Sequence, residues 1–151
     1  MKRIGSWFMS LAIGTVLALV ALPAVAQSRA VTHIDSEKVA AALAGRGGSL
    51  VATKDFTVSG SHRNGPGQVE VHARETDIFY VTEGEATLVV GGTVVGGKTT
   101  APGQIRGTDI QGGQTQKLKK GDVVTIPAGT PHWFKELATP TISYLTIKVL
   151  R

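Results

Sequence analysis

Gly121-Asp122-Val123-Val124-Thr125-Ile126-Pro127-Ala128-Gly129-Thr130-Pro131-His132-Trp133-Phe134 is the stretch that decides the fold. A Gly-Asp turn leads into an apolar strand from Asp122 to Ile126. Pro127, Gly129 and Pro131 then forbid a helix and impose a rigid bend. His132 opens the next strand with its backbone direction set by that bend. A metal ligand or an acid–base group needs such preset geometry. The plainer alternative is a turn that carries a polar residue by default.

Upstream lies Glu70-Val71-His72. Residues two apart in a strand point to one face. Glu70 and His72 therefore share one side, and Val69, Val71 and Ala73 the other. The polar side faces either solvent or a polar cavity. Five residues after His72, Asp77 precedes the apolar run Ile78-Phe79-Tyr80-Val81, and a short turn brings it back beside His72. Phe79 has the parity of Asp77 and Phe134 that of His132, so both are candidate walls of the cavity, with ordinary core packing as the alternative. Trp133 and Tyr80 read as outer-face residues. Alternation gives Glu75 no better claim than Asp77. His62, beside Arg63 and a turn, reads as a surface residue or a cavity-lining one, and His33 has no case.

Working outward, the chain is punctuated by short β-type runs: Leu50–Ser59, Val69–Ala73, Ile78–Thr82, Ala86–Val90, Thr115–Leu118, Asp122–Ile126, His132–Glu136 and Thr141–Val149. Gly, Pro and Asn clusters separate them. About eight short strands with regular turn signals predict an all-β sandwich or small barrel. One helix is expected, His33–Ala44, capped by Asp35 or Ser36 and ended by Gly45 and Gly47. Residues 91–114, rich in Gly, Thr and Gln, read as a long hairpin excursion with a flexible loop around Pro102-Gly103. The outer face formed by Val69, Val71, Ile78 and Tyr80 must be covered, by the N-terminal helix and strand or by a second copy. A homodimer is expected.

The 151 residues include 19 Gly, 6 Pro and no Cys. One domain is the default at this length. The absence of cysteine excludes disulfides, thiolate metal sites and thiol catalysis. Lys2-Arg3, an apolar run from Trp7 to Val20 and Ala24-Val25-Ala26 form a secretory signal peptide pattern, residues 1–26. The expected organisation is then a helical segment, 27–48, and a barrel, 49–151. Cleavage leaves no stable membrane anchor and a periplasmic or secreted protein. Losing Lys2 and Arg3 lowers the formal charge from +5 to +3. Lys117, Lys119 and Lys120 form the densest basic cluster, at a strand end and without interleaved aromatics, so no nucleic acid is expected.

The two His-bearing stretches resemble the two motifs of the cupin superfamily. Gly121, Pro127, Gly129 and His132 match the second motif up to its histidine; Glu136 stands where the family usually has Asn. Glu70-x-His72, four residues, Asp77, six residues, Gly84 keeps the spacing of the first motif, with Glu for its first His and Asp for its Glu. The Phe79-Tyr80-Val81 strand and the Gly84-Glu85 turn also fit. The resemblance spans Val69 to Glu136. It implies an all-β double-stranded β-helix, or jelly-roll barrel, and places Glu70, His72, Asp77 and His132 around one divalent metal. Asp is one methylene shorter than Glu, so Asp77 is either a ligand or a partner that orients a histidine. Imidazole with carboxylate suits Mn, Fe, Zn, Ni or Cu, and the second carboxylate shifts preference toward Mn or Fe(II) relative to Cu.

Two functions follow from the resemblance. One is a metal-dependent enzyme of oxygenase, isomerase or decarboxylase type, acting on a small oxygen-bearing molecule. A carboxylate not on the metal, Glu70 or Asp77, would then be the general base. The other is a non-catalytic periplasmic module that binds a metal or small-molecule ligand.

Overall fold

The computed structural model describes residues 31–45 and 47–151. The signal-peptide reading, residues 1–26, lies outside the described residues. Helix α1 spans Ser36–Ala44. Thirteen strands follow: β1 Gly48–Ala52, β2 Phe56–Arg63, β3 Val69–His72, β4 Glu75–Glu83, β5 Glu85–Val90, β6 Thr93–Val95, β7 Lys98–Ala101, β8 Gln104–Gly107, β9 Asp109–Gln111, β10 Gln114–Lys119, β11 Val123–Ile126, β12 His132–Leu137 and β13 Ile142–Leu150. One sheet runs β1-β2-β13-β4-β11, a second β10-β5-β12-β3-β8-β7, and β6 pairs with β9. The pairings are antiparallel throughout. The architecture is the all-β double-stranded β-helix that the motifs imply. No helix among the described residues is long and apolar enough to cross a membrane.

The interior between the two large sheets is divided. One part is apolar: Phe79 and Val81 on β4, Ile126 on β11 and Ile142 and Tyr144 on β13 meet Ala86 and Leu88 on β5, Leu118 on β10 and Phe134 on β12. The other part is polar and holds His72, Asp77, His132 and Thr146, all buried. Phe79 joins the two, its ring 5.7 Å from Phe134 and 6.2 Å from His132. Gly84 makes the corner between β4 and β5, which lie in different sheets. Its φ is +80°, and a Cβ there would collide with the Thr141 carbonyl oxygen. Only glycine fits both demands.

Three expectations need correction. The run Leu50–Ser59 is two strands, because Thr53 Oγ1 accepts from the backbone N–H groups of Asp55 and Phe56 and turns the chain there. The helix starts at Ser36 rather than His33, with Asp35 extended at the N-cap position. The excursion 91–114 is four strands rather than a long hairpin with a flexible loop. Pro102-Gly103 is the tight turn of the β7–β8 hairpin, tied by the Ala73 N–H donating to the Gly103 carbonyl at 2.8 Å. The same segment covers part of the outer face left open in the sequence reading. Val69, fully buried, packs with Val89 and Ile110, flanked by Val94 and Trp133.

Helix α1 lies against β2 at Gly60, where a Cβ would come within 2.6–2.7 Å of the Ala42 backbone and side chain. Both obstacles are short and one is main chain, so the helix must lift. Gly60→Ala is expected to cost about 1–3 kcal/mol, read as a lowered midpoint in urea, with β-sheet circular dichroism retained. An unchanged midpoint would show that the helix contributes nothing to the barrel.

Candidate metal centre

Strand register assembles the site. β3 carries Glu70 and His72, and β12 begins with His132 directly opposite Glu70. β4 carries Asp77. The two sequence stretches also clasp each other through the main chain: the Gly129 N–H donates to the His72 carbonyl at 2.8 Å, within the Pro127–Pro131 bend. His132 is thereby aimed at His72, with ring centroids 5.2 Å apart.

Hydrogen bonds fix both rings. His72 Nδ1 faces the Gln104 Oε1 carbonyl oxygen, and His132 Nδ1 lies 3.1 Å from the Thr130 carbonyl oxygen. Both partners only accept, so each Nδ1 carries a proton and donates. Each Nε2 is left as a lone pair when the ring is neutral. Among the described residues, His72 Nε2 and His132 Nε2 are the buried side-chain polar atoms without a hydrogen-bond partner.

Carboxylates surround these nitrogens. Glu70 Oε2 lies 3.2 Å from His72 Nε2 and 3.9 Å from His132 Nε2; Asp77 Oδ2 lies 3.5 Å and 3.4 Å from the same atoms. Two donors on one ion at about 2.1 Å stand about 3.0–3.4 Å apart; the His72–Glu70 and His132–Asp77 distances fall in that range, the His72–Asp77 distance is just outside it, and the His132–Glu70 distance is about 0.5 Å wider. Lone pairs facing carboxylate oxygens at these distances repel unless a proton or cation lies between them. Glu70, His72 and His132 form one group with mutual donor distances under 4.8 Å, and His72, Glu75 and Asp77 form another.

Without an ion, a proton can take that place. Burial pushes the Glu70 carboxyl up, but the adjacent His72 imidazole and the charges of Arg106, His132 and Arg63 outweigh it and hold it at about 2. Burial and the Lys148 charge push His72 down; the adjacent Glu70 carboxylate, the Gln104 bond and the Asp77 charge prevail and raise it. His132 goes down, because burial prevails over the Thr130 bond and the Asp77 and Glu70 charges. A metal binding here would have to displace the His72 proton, which is held above the ordinary value of 6.5. Apparent metal affinity should fall as pH is lowered from 8 to 6, by up to about tenfold per pH unit for one proton. Titrating the metal at several pH values checks this, and a flat profile would contradict it.

A second layer was not legible in the sequence. Register sets Gln104 opposite His72, Arg106 opposite Glu70 and Lys148 opposite Asp77. Gln104 Nε2 donates to Glu75 Oε1 at 2.9 Å, and Lys148 Nζ donates to Glu75 Oε2 and Asp77 Oδ1, both at 2.8 Å. Asp77 thus spends one oxygen on Lys148 and turns the other to the histidines. Glu75, given no special claim by alternation, belongs to this layer. Gln104→Leu should weaken metal binding about 10–100-fold by freeing the His72 ring, measured by competition with a chelating dye. Unchanged affinity would show that Gln104 does not orient the ring.

Phe79 and Phe134 are buried beside His132 and line a cavity of about 10 Å³ with Arg63, Gln68 and Glu70. Trp133 points outward and donates to the Gly67 carbonyl at 2.7 Å, and Tyr80 is exposed. His62 is turned away from the site and pairs with Ser143 Oγ at 2.8 Å. A larger cleft, about 450 Å³, opens between β10 and β11 and is lined by Lys117, Asp122, Val124 and Thr130 among others. None of the four candidate ligands lines it.

No curated protein matches the chain in sequence. Solved structures do match in fold. BH2720 of Bacillus halodurans is 12% identical, with 83% of this chain and 85% of that chain covered, at a TM-score of 0.60. TT1209 of Thermus thermophilus is 17% identical, with 79% and 97% covered, at 0.53. Peruvianin-I, a cysteine peptidase from Thevetia peruviana latex, is 18% identical at 0.44; this chain covers 51% of its length and 64% of its own. At these identities the likeness is one of fold. The sequence model of the Cupin family matches residues 58–149, which include both His-bearing stretches and every candidate ligand, and the chain belongs to the cupin family.

Proposed function

We propose that this protein is an exported cupin that holds one divalent metal ion through Glu70, His72, Asp77 and His132 and acts on a small oxygen-bearing molecule beside it. The observation that carries the reading is the pair of buried, partnerless Nε2 atoms, each held in the metal-binding tautomer by a bond at Nδ1. A bound ion supplies Lewis acidity, or O2 activation if it is iron. The residues supply the rest. His72 and His132 are locked in orientation. A carboxyl held at about 2 is ionised and weakly basic at neutral pH, so Glu70 suits a ligand better than a general base. Asp77, with Lys148 on one oxygen, is likewise better placed as a ligand. Phe79 and Phe134 keep bulk water from the inner side. Dioxygenation, isomerisation and decarboxylation all fit this arrangement.

The test is metal content by mass spectrometry on untagged protein purified from the periplasm. Near-stoichiometric Fe or Mn supports the enzyme reading and leads to an oxygen-uptake screen; no metal after reconstitution of folded protein would overturn it. A second reading rests on the cavity volume. About 10 Å³ holds a single water-sized group, which suits a metal-holding module without catalysis. The exposed Phe56, Tyr80, Val123 and Val149 on the five-stranded sheet are the proposed homodimer contact; a monomer in sedimentation across micromolar concentrations would exclude it.

A further inference from the structure

We infer that the ligand of this centre is a small organic carboxylate, held by Arg63 and Arg106. The inference rests on the metal reading above and names its ligand class. Two guanidinium groups converge on one carboxylate oxygen without bonding it: Arg63 Nη2 stands 3.9 Å and Arg106 Nη2 3.8 Å from Glu70 Oε1. Both gaps exceed hydrogen-bond length. Arg63 gives its Nε–H to the Tyr144 hydroxyl at 2.7 Å, and its guanidinium lies 5.0 Å from the Phe134 ring centre. Arg106 gives an Nη1–H to the Ile105 carbonyl at 3.3 Å. Arg63 lines the small cavity beside Glu70 and His132, with its Nη1 edge against Gly67. A planar carboxylate is the group whose geometry fits such forks.

Charge points the same way. Glu70, Glu75 and Asp77 bring three negative charges to the network, and Arg63, Arg106 and Lys148 bring three positive ones. With neutral imidazoles the network is balanced. A divalent ion makes it positive by two, in a place where Asp77 and both histidines are at most 5% exposed. Excess charge in poorly screened surroundings draws an anion.

The cavity of about 10 Å³ is too small for such a ligand while Arg63 covers it. Arg63 is 28% exposed in its side chain; the Tyr144 hydroxyl, the Phe134 ring, the Gly67 backbone and the Glu70 carboxylate surround its guanidinium. Its guanidinium can turn off Phe134 to admit a molecule of three or four carbons. It then pairs with the carboxylate, while a neighbouring oxygen of the ligand faces the two histidines.

Lactate and propane-1,2-diol differ by a carboxylate against a hydroxymethyl group and test this directly. Metal affinity is measured first, by zinc titration of wild type, Arg63→Met and Arg106→Met. Absence of a zinc site in folded protein overturns the metal reading and this inference with it. With zinc bound, calorimetry should show lactate binding at least tenfold tighter than propane-1,2-diol. Each methionine variant, compared with wild type at zinc saturation, should lose that preference about tenfold or more. Equal binding of the two compounds, no lactate binding at 10 mM, or an undiminished preference in both variants would overturn the ligand class and leave the zinc result standing. Arg63→Lys keeps the charge and loses the fork; an intermediate lactate affinity is expected, and recovery to the wild-type value would refute the paired-bond geometry.

Discussion

His132→Ala and His72→Ala each lower metal affinity by more than about a hundredfold, beyond the 10–100-fold loss typical of second-layer residues. Each removes one of two nitrogen donors that face a common point, and carboxylates alone hold late transition metals less well. The two variants differ in side effects. His132→Ala leaves the Thr130 carbonyl and the Pro127–Pro131 bend in place, because the clasp to β3 is made by main-chain atoms of Gly129 and His72. His72→Ala also strands Gln104, whose remaining bond is to Glu75. The metal-free fold should therefore survive His132→Ala better. Equilibrium dialysis beside circular dichroism reads both quantities. Wild-type affinity in a folded His132→Ala protein would remove the histidine pair from the site.

Leu88→Ala destabilises the barrel by about 2–5 kcal/mol and leaves the histidine–carboxylate cluster intact. Leu88 is among the largest side chains with no exposure at all, and it sits mid-strand in β5 between Phe134 on β12 and Gln116 on β10. Three methyl-sized groups leave a hole between rigid sheets that cannot collapse onto it. A domain of this size should lose roughly 10–20 °C in Tm. Val123→Ala, on a side chain 64% exposed, is the control and should stay within about 0.5 kcal/mol. Calorimetry on metal-free protein separates the two, and a Leu88→Ala loss under about 1 kcal/mol would mean that the sheets relax into the gap.

The sequence carried the strands near the two motifs well, because there the alternation is strong and the Gly and Pro punctuation is dense. Asp122–Ile126 and His132–Glu136 differ from the observed strands by one residue at one end. Leu50–Ser59 reads as one strand because its turn is made by three polar residues, Thr53-Lys54-Asp55, with neither Gly nor Pro. Residues 91–114 lack apolar alternation because most of their side chains are exposed, and backbone pairing rather than burial orders them. That hid Gln104 and Arg106. A sequence shows which face of a strand a residue takes, but not which residue of a distant strand lies opposite. Glu70, His72, Asp77 and His132 could be named from local pattern and motif spacing. Gln104, Arg106 and Lys148 are neighbours by register alone, and register between strands so far apart is fixed only when the sheets assemble.

The two partnerless nitrogens sit on strands 60 positions apart in a chain with no cysteine. An ion shared between them closes that loop as a cystine would. A permanent link of this length restricts the denatured chain by about 4 kcal/mol. A coordinated ion gives the same restriction conditionally, in proportion to how far its free concentration exceeds its dissociation constant. The barrel's lifetime would then be set by the ions around it, and a chelator would act on it as a reductant acts on a disulfide-bonded protein.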